Sequence, residues 1–235
     1  MDHQHLSQRL ALVANKVAQD AILADIGSDH AYLPAYLVLN NKIKSAIAGE
    51  VVKGPFNSAK HLVEELELND KISVRFGDGL DVLKADDAVT CITICGMGGA
   101  LIRDILDRGI KNNKFSGKEQ LILQPNIGEK GLRTYLNKNG YTIISEAILE
   151  ENKKFYEIIV AEKRPSNQEL NEEELLFGPF LLRESHPVFI KKWQQELKQR
   201  HYVLNQLEQS SQNQTDKIDQ YKRDILLIEE VLTSD

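Results

Sequence analysis

The sequence contains little cysteine and no long hydrophobic segment near its beginning. Its two cysteines, Cys91 and Cys95, lie four residues apart within an apolar run. Two ligands alone make a poor metal site, so we expect reduced core residues and no bound metal. Because Arg9 and Lys16 interrupt the apolar residues of the first helix, we expect neither a signal peptide nor a membrane span. Together these absences favour a cytoplasmic location.

Basic residues are not in excess, because the formal net charge is −6. This balance argues against a protein that is basic throughout, although a local basic patch would be enough to hold RNA. In the competing interpretation, each basic side chain is an ordinary solvated charge. The candidates for an RNA-binding patch are Arg9, Lys16, Arg133, Lys153 and Lys154.

The segment 21–34, AILADIGSDHAYLP, lacks the repeated glycines of a dinucleotide-binding loop. It begins with an apolar run that predicts a buried parallel strand, and Gly27 permits a tight turn into a following helix. A pyrophosphate would need the missing glycines of G-x-G-x-x-G and would be repelled by Asp29. S-adenosylmethionine (SAM) carries a sulfonium and no phosphates, so it tolerates an acidic loop. A plain connection between strand and helix is the alternative.

Further apolar or alternating runs complete a predicted α/β fold with seven strands and crossover helices. Such a Rossmann-like sheet binds its ligand at the carboxyl ends of the strands. The strands are predicted at 22–26, 45–49, 71–76, 89–95, 121–123, 141–147 and 155–161, with the last two paired antiparallel.

Acidic residues and glycines follow these strands and converge on the carboxyl edge of the predicted sheet. Glu50 stands where nucleoside-binding folds hold the ribose hydroxyls, although it could be a surface residue. Asp78 could accept a hydrogen bond from an exocyclic amine or could belong to an ordinary turn. His30 either hydrogen-bonds a ligand or helps to start a helix. The residues predicted to bind the donor are Asp25, Gly27, His30, Glu50, Asp78, Gly79, Gly96 and Gly98.

The composition changes after residue 165, and most of the acidic excess falls within 166–235. Two runs of apolar residues there follow a seven-residue rhythm and are separated by the polar segment 210–216. This pattern predicts two helices folded back as an antiparallel coiled coil. We therefore expect a Rossmann-like domain at 1–165 and a C-terminal helical coiled-coil domain at 166–235. Packing within one chain, as a monomer, is favoured, and a dimer through the coil is the alternative.

Five segments of the chain resemble the bacterial tRNA (adenine-22-N1)-methyltransferase family, in the family's order. They are DIGSDHAYLP at 25–34, GEVVKGPFNSA at 49–59, GDGL at 77–80, CGMGG at 95–99 and QPN at 124–126. The resemblance spans nearly the whole chain, and its first and fourth segments together are quite specific. It implies a Rossmann-like catalytic domain, SAM as methyl donor, and tRNA as the partner, methylated at N1 of an adenosine in the D-arm region.

The chain lacks the Asn-Pro-Pro-Tyr type of motif that many amino-group methyltransferases carry, and residues 96–99 read Gly-Met-Gly-Gly instead. Because adenine N1 already offers an in-plane lone pair, alignment rather than prior deprotonation should control the transfer. We expect Met97 to face the pocket and Asp29 to stabilise the developing positive charge. Gln124 and Asn126 could hydrogen-bond the base, although a turn containing proline needs no function.

Other functions stay open at this point. A SAM-dependent enzyme for a small molecule or a protein would show the same donor residues. A binding module with a vestigial nucleoside fold could work through its coiled coil alone. A nicotinamide oxidoreductase ranks last, because the phosphate-binding glycines are missing.

Overall fold

The computed structural model describes residues 2–164, 169–209 and 214–233. The chain forms two compact units, Met1–Phe180 and Leu181–Asp235. The predicted domain boundary between residues 165 and 166 lies outside the described residues and stays a prediction. Within the part of the chain that the structure describes, no helix is long and apolar enough to cross a membrane.

The first unit is built on one seven-stranded sheet with the order β3-β2-β1-β4-β5-β7-β6, which confirms the predicted fold class. Strands β1 to β5 are parallel, and β7 runs antiparallel to both of its neighbours. The chain order reverses between β1 and β4, and ligands of open α/β sheets bind at such a switch point. The strands are β1 Ala21–Ile26, β2 Ile43–Glu50, β3 Ile72–Phe76, β4 Cys91–Gly98, β5 Gln120–Ile127, β6 Tyr141–Glu151 and β7 Lys154–Lys163.

Helices cover both faces of the sheet, because its strands are apolar on both sides. One core contains Leu23 of β1 with residues of the first three helices, and the other contains Ala24 with residues of the next two. In chain order, the helices of both units are α1 Gln8–Lys16, α2 Tyr32–Leu39, α3 Lys53–Glu65, α4 Gly99–Lys111, α5 Glu129–Lys138, α6 Glu172–Phe177, α7 Pro179–Glu184, α8 Pro187–Glu208 and α9 Thr215–Thr233, of which α1 to α5 contribute to the two cores of the sheet.

The two cysteines lie in β4 and are both free thiols. Cys91 is buried against the first core, and Cys95 packs partly against the same core. Burial raises the pKa of the Cys91 thiol to about 12 and also raises that of Cys95. Both thiols are therefore protonated at neutral pH.

Strands β4 and β5 continue further than the sequence predicts. The predicted ends are 95 and 123, whereas the pairing extends to Gly98 opposite Ile127. Gly96 has a φ of +76°, and the register of β4 against β5 shifts between Cys95 and Met97. A glycine in this conformation produces a bulge, which lets the strand continue past the irregularity.

The second unit contains helices α8 and α9, which pair in antiparallel fashion, as the predicted coiled coil requires. His201 of α8 meets Glu229 of α9 at 3.5 Å, and Glu208 meets Lys222 at 2.8 Å. From the first ion pair to the second, the residue number rises along α8 and falls along α9, so the helices are antiparallel. Their apolar side chains are buried at Trp193, Leu207, Ile225 and Ile228. Of the predicted polar turn 210–216, residues 210–213 lie outside the described residues.

Candidate active site

A cavity of about 470 Å³ opens at the carboxyl ends of β1, β2 and β4. A smaller cavity of about 140 Å³ adjoins it and reaches the end of β3. The two share Gly27, Glu50, Val51, Met97 and Leu101, so they form one groove along the sheet edge. Arg9, Asp25, Asp29 and Gly96 line the larger end, and Asp78 and Gly79 line the smaller one.

Asp25 is the buried carboxylate of this groove and lies near the end of β1. Its side chain accepts hydrogen bonds from Ser28 Oγ and Thr93 Oγ1, each at 2.6 Å. Burial raises the pKa of Asp25 above its ordinary value, while these two hydroxyl groups oppose the shift. The sequence prediction missed both partners. The available signal was Thr93, a polar residue in an apolar strand, which pairs with Asp25 in the parallel register.

Glu50 is fixed in place by backbone N–H groups. Its Oε1 accepts from the amides of Val51 and Val52 at 2.8 Å, and its Oε2 accepts from the amide of Asp29 at 3.2 Å. The carboxylate is largely buried and therefore joins the β1 loop to the start of α3. This arrangement leaves oxygen lone pairs available to a ligand in the groove.

Met97 packs over Gly27 in the middle of the groove. Gly27 has a φ of +71°, and a Cβ placed on it would lie 2.1 Å from Met97 Cε. Met97 is half-buried, and it lines both cavities, as predicted for a side chain that faces the pocket. A side chain larger than hydrogen at position 27 would therefore strain the backbone and displace Met97.

Asp78 closes the far end of the groove and is paired with a cation. Its Oδ1 accepts from Arg108 Nη2 of α4 at 2.8 Å, and both side chains are exposed. Gly79 has a φ of +57° and begins a short 3-10 turn, Gly79–Val82. Asp78 is thus held at the edge of the smaller cavity, with one carboxylate oxygen outside this ion pair.

Gln124 is fully buried, so the prediction that it hydrogen-bonds the substrate base is wrong. Its Oε1 accepts from Arg9 Nη1 and from the amide of Gly96, while its Nε2 donates to the carbonyl of Pro125. Gln124 is therefore a positioning residue for the turn at Gly96. Asn126 is exposed and donates to the Gly96 carbonyl at 2.8 Å, which leaves it within reach of a substrate.

Arg133 is fully buried, so the prediction that it contacts RNA is also wrong. Its guanidinium donates to Glu146 at 2.8 Å and to Glu157 at 2.5 Å. The sequence could not show this, because the two carboxylates come from β6 and β7. By contrast, Lys153 and Lys154 are exposed at the turn between these strands.

Three other predicted residues lie outside the lining of the groove. His30 stacks on Tyr32 with ring centroids 5.2 Å apart, and Gly98 pairs with Ile127. Lys16 donates to Ser145 Oγ at 2.7 Å and is only partly exposed. Among the residues that the structure describes, no cluster of His, Cys, Asp and Glu could hold a metal ion.

The strand order, the antiparallel β7 and an acidic groove without a phosphate-binding glycine loop define a Rossmann-like methyltransferase of class I. A family model described as tRNA (adenine(22)-N(1))-methyltransferase matches residues 23–230. The chain is 49% identical to the Bacillus subtilis tRNA (adenine(22)-N(1))-methyltransferase over 221 residues, which covers 92% of each chain. The chain therefore belongs to the tRNA (adenine(22)-N(1))-methyltransferase family.

Solved structures agree with this assignment. The B. subtilis m1A22 tRNA methyltransferase is 46% identical with a TM-score of 0.90, covering 97% of this chain and 99% of that one. A Streptococcus pneumoniae protein in complex with SAM is also 46% identical, with a TM-score of 0.87, covering 97% and 100%. An M. capricolum protein in complex with S-adenosylhomocysteine (SAH) is 32% identical, with a TM-score of 0.83, covering 97% of each chain.

Proposed function

We propose that this protein transfers a methyl group from SAM to N1 of adenosine 22 in tRNA. The observation that carries the proposal is the acidic groove at the switch point of the sheet, in a chain that belongs to this family. The groove fits the donor chemically, because its carboxylates suit hydroxyl groups and a cation, whereas they would repel a phosphate. When bound, SAM supplies an electrophilic methyl group.

Different residues of the groove bind different parts of the donor. Glu50, held by three backbone amides, accepts hydrogen bonds from the ribose hydroxyls. Asp78 and Gly79 receive the adenine at the smaller end. Asp25, at the larger end, is the buried acidic group, and Gly27 and Gly96 let the backbone approach.

The chain has little proton chemistry to perform before the transfer. Adenine N1 brings its own lone pair, so the protein contributes mainly alignment of two reactants in one groove. The methylated base is cationic until it loses a proton. Asp29, which is exposed at the mouth of the larger cavity, stabilises that charge. We expect Asp29→Ala to slow single-turnover methylation, and an unchanged rate would remove this role.

The base must leave its stack before N1 can enter the groove, which we expect to require flipping or local opening of the tRNA. The exposed apolar side chains of Val51 and Leu101 line the groove, where a base could be received. Lys153 and Lys154 are the basic candidates that are exposed on the surface and could contact phosphates. The protein acts in the cytoplasm as a monomer in this proposal.

The decisive experiment maps the methylated nucleotide after incubation of the protein with SAM and tRNA. The tRNA comes from a strain that lacks the modification, and a matched transcript carries guanosine at position 22. We expect N1-methyladenosine at position 22 alone and none in the guanosine transcript. Methylation at another nucleotide would overturn the assigned position, and no methylation of any tRNA would overturn the proposed substrate.

A further inference from the structure

Asn126 lies in the extension of β5, beside the turn at Gly96. The sequence predicts that this strand ends at residue 123, whereas its pairing with β4 continues to Ile127. The Asn126 side chain is exposed, and its Nδ2 donates to the carbonyl of Gly96 at 2.8 Å. Because Gly96 lines the larger cavity, the side-chain amide of Asn126 stands at the edge of the groove.

The hydrogen bonds around Gln124 determine which way the Asn126 amide points. Gln124 Oε1 receives Arg9 Nη1 at 2.5 Å and the amide of Gly96 at 3.0 Å, two groups that can only donate. The other end of the Gln124 amide is therefore its Nε2, which donates to the carbonyl of Pro125 at 2.8 Å and to Asn126 Oδ1 at 3.2 Å. Asn126 Oδ1 has two lone pairs, and the bond from Gln124 uses one of them. An exposed acceptor with a fixed orientation thus lies at the edge of the groove.

This acceptor is separated from the donor's part of the groove by β4. Asp25, Glu50 and Asp78 lie at or just after the ends of β1, β2 and β3, which follow β4 on one side of the sheet. Strand β5, with Asn126, is the neighbour of β4 on the other side. The attacking atom must approach the methyl group from the face opposite the sulfur, so it cannot share the donor's position. The β5 side is therefore the side from which the acceptor base can approach.

Adenine presents a characteristic pair of groups on the edge that contains N1. N1 offers a lone pair, and the N6 amine beside it donates hydrogen bonds, whereas guanine has an N1–H donor beside the O6 acceptor. When N1 gains a methyl group, positive charge spreads to N6, and the amine becomes a stronger donor. An acceptor on N6 consequently stabilises the transition state more than the ground state.

We propose that Asn126 Oδ1 accepts a hydrogen bond from the N6 amine of the base to be methylated, and that Gln124 positions Asn126 for this contact. The inference rests on the proposed function, since it presupposes that an adenosine of tRNA enters the groove. Asn126 selects adenine, because the O6 of guanine would meet the acceptor oxygen with its own lone pairs. The same bond orients N1 toward the methyl group.

Single-turnover methylation of two tRNA transcripts tests this contact. One transcript carries adenosine at position 22, and the other carries purine riboside, which keeps N1 but lacks the N6 amine. Loss of the amine also lowers the basicity of N1 itself, so each variant is judged by the rate with adenosine divided by the rate with purine riboside. In Asn126→Ala, we expect this ratio to fall about threefold to tenfold, as for one lost hydrogen bond.

Asn40→Ala is the matched control, because Asn40 is another exposed asparagine whose Nδ2 donates to a backbone carbonyl at 2.8 Å, that of Tyr36. It lies outside the lining of both cavities and should leave the ratio unchanged. Asn126→Asp keeps an acceptor oxygen, so it should keep most of the ratio even though the bond to Gly96 is lost. The affinity for SAH, measured by calorimetry, should change by less than about twofold in every variant. Thermal melting identifies any variant that fails to fold, and Asn126→Leu, which also lacks an acceptor, then replaces Asn126→Ala.

Three results would overturn the inference. An unchanged ratio in Asn126→Ala would mean that Oδ1 does not meet the amine. An equal fall of the ratio in Asn126→Ala and Asn126→Asp would tie the effect to the bond with Gly96 rather than to the acceptor. A parallel loss of SAH affinity would mean that Asn126 only shapes the donor's cavity. If the unsubstituted protein methylated neither transcript, the proposed function itself would fail, which is a different outcome from the failure of Asn126 alone.

Discussion

The buried guanidinium of Arg133 makes a strong prediction about stability. It donates to Glu146 at 2.8 Å, to Glu157 at 2.5 Å and to the carbonyl of Leu176 at 3.3 Å. The three charged side chains are between 0% and 1% exposed. Arg133→Met keeps the volume of the stem but leaves two buried carboxylates without their cation. Removing one partner of a buried ion pair costs about 3–5 kcal/mol, and we expect a loss in this range.

The loss should also depend on pH. Burial raises the pKa of Glu146 in the native protein, while Arg133 and the amide of Phe180 oppose the shift. Without Arg133 the pKa of Glu146 rises further, so the folded state binds more protons than the unfolded state above the unfolded value of about 4.3. A raised folded pKa gives stability that is present below the unfolded pKa and is lost as pH rises. The free energy of unfolding that Arg133→Met loses relative to the unsubstituted protein should therefore grow from pH 5 to pH 8.

Urea unfolding at several pH values measures this prediction, with Lys138→Met as the control. Lys138 lies on the same helix α5 but is exposed, so its loss should change the unfolding free energy by less than about 0.5 kcal/mol. The affinity for tRNA should be unchanged in folded Arg133→Met. Unchanged stability together with weaker tRNA binding would refute the reasoning, because it would show Arg133 acting as a surface cation.

Three further predictions concern the groove and its surroundings. Glu50→Gln should weaken the binding of both SAH and 5′-methylthioadenosine about tenfold in calorimetry, because both ligands carry the ribose. If the variant bound both ligands as tightly as the unsubstituted protein does, the ribose contact would be excluded. Gly27→Ala should lower the melting temperature, since a φ of +71° costs a residue with a Cβ about 1–2 kcal/mol and Met97 must move; an unchanged melting temperature would contradict this. Lys153→Glu with Lys154→Glu should reduce the salt dependence of tRNA affinity and leave SAH affinity unchanged; an unaltered salt slope would place the phosphate contacts elsewhere.

The prediction that Arg133 contacts RNA was wrong because of an irregularity in strand β6. Strand β6 shifts register between Ile143 and Ser145. As a result, Ile144 packs against the first core and Ser145, the next residue, accepts from Lys16 on the same side of the sheet, while Glu146 returns to the side of Arg133. A shift of one residue reverses the face of every side chain that follows it. Alternation counted along the sequence therefore assigns Glu146 to the wrong face, and the buried ion pair cannot be foreseen.

The positions of the groove residues, unlike that of Arg133, could be predicted from the sequence. Asp25, Glu50 and Asp78 lie at or just after the ends of β1, β2 and β3. The carboxyl ends of parallel strands share one edge, so position along the chain was enough to bring these side chains together. Gly27 was predictable for a similar reason, because a tight turn after a strand favours a residue without a Cβ.

The order of apolar strands, the turn glycines and the acidic residues that follow them determined the fold class and one edge of the site. These are local properties, because periodicity and backbone freedom act over a few residues. Tertiary structure alone decided which charges are satisfied. Arg133 meets carboxylates 13 and 24 residues away, and Arg9 meets an amide 115 residues away. Whether a cation faces solvent, a ligand or a buried partner depends on such distant neighbours, since its energy is set by the charges and the dielectric around it.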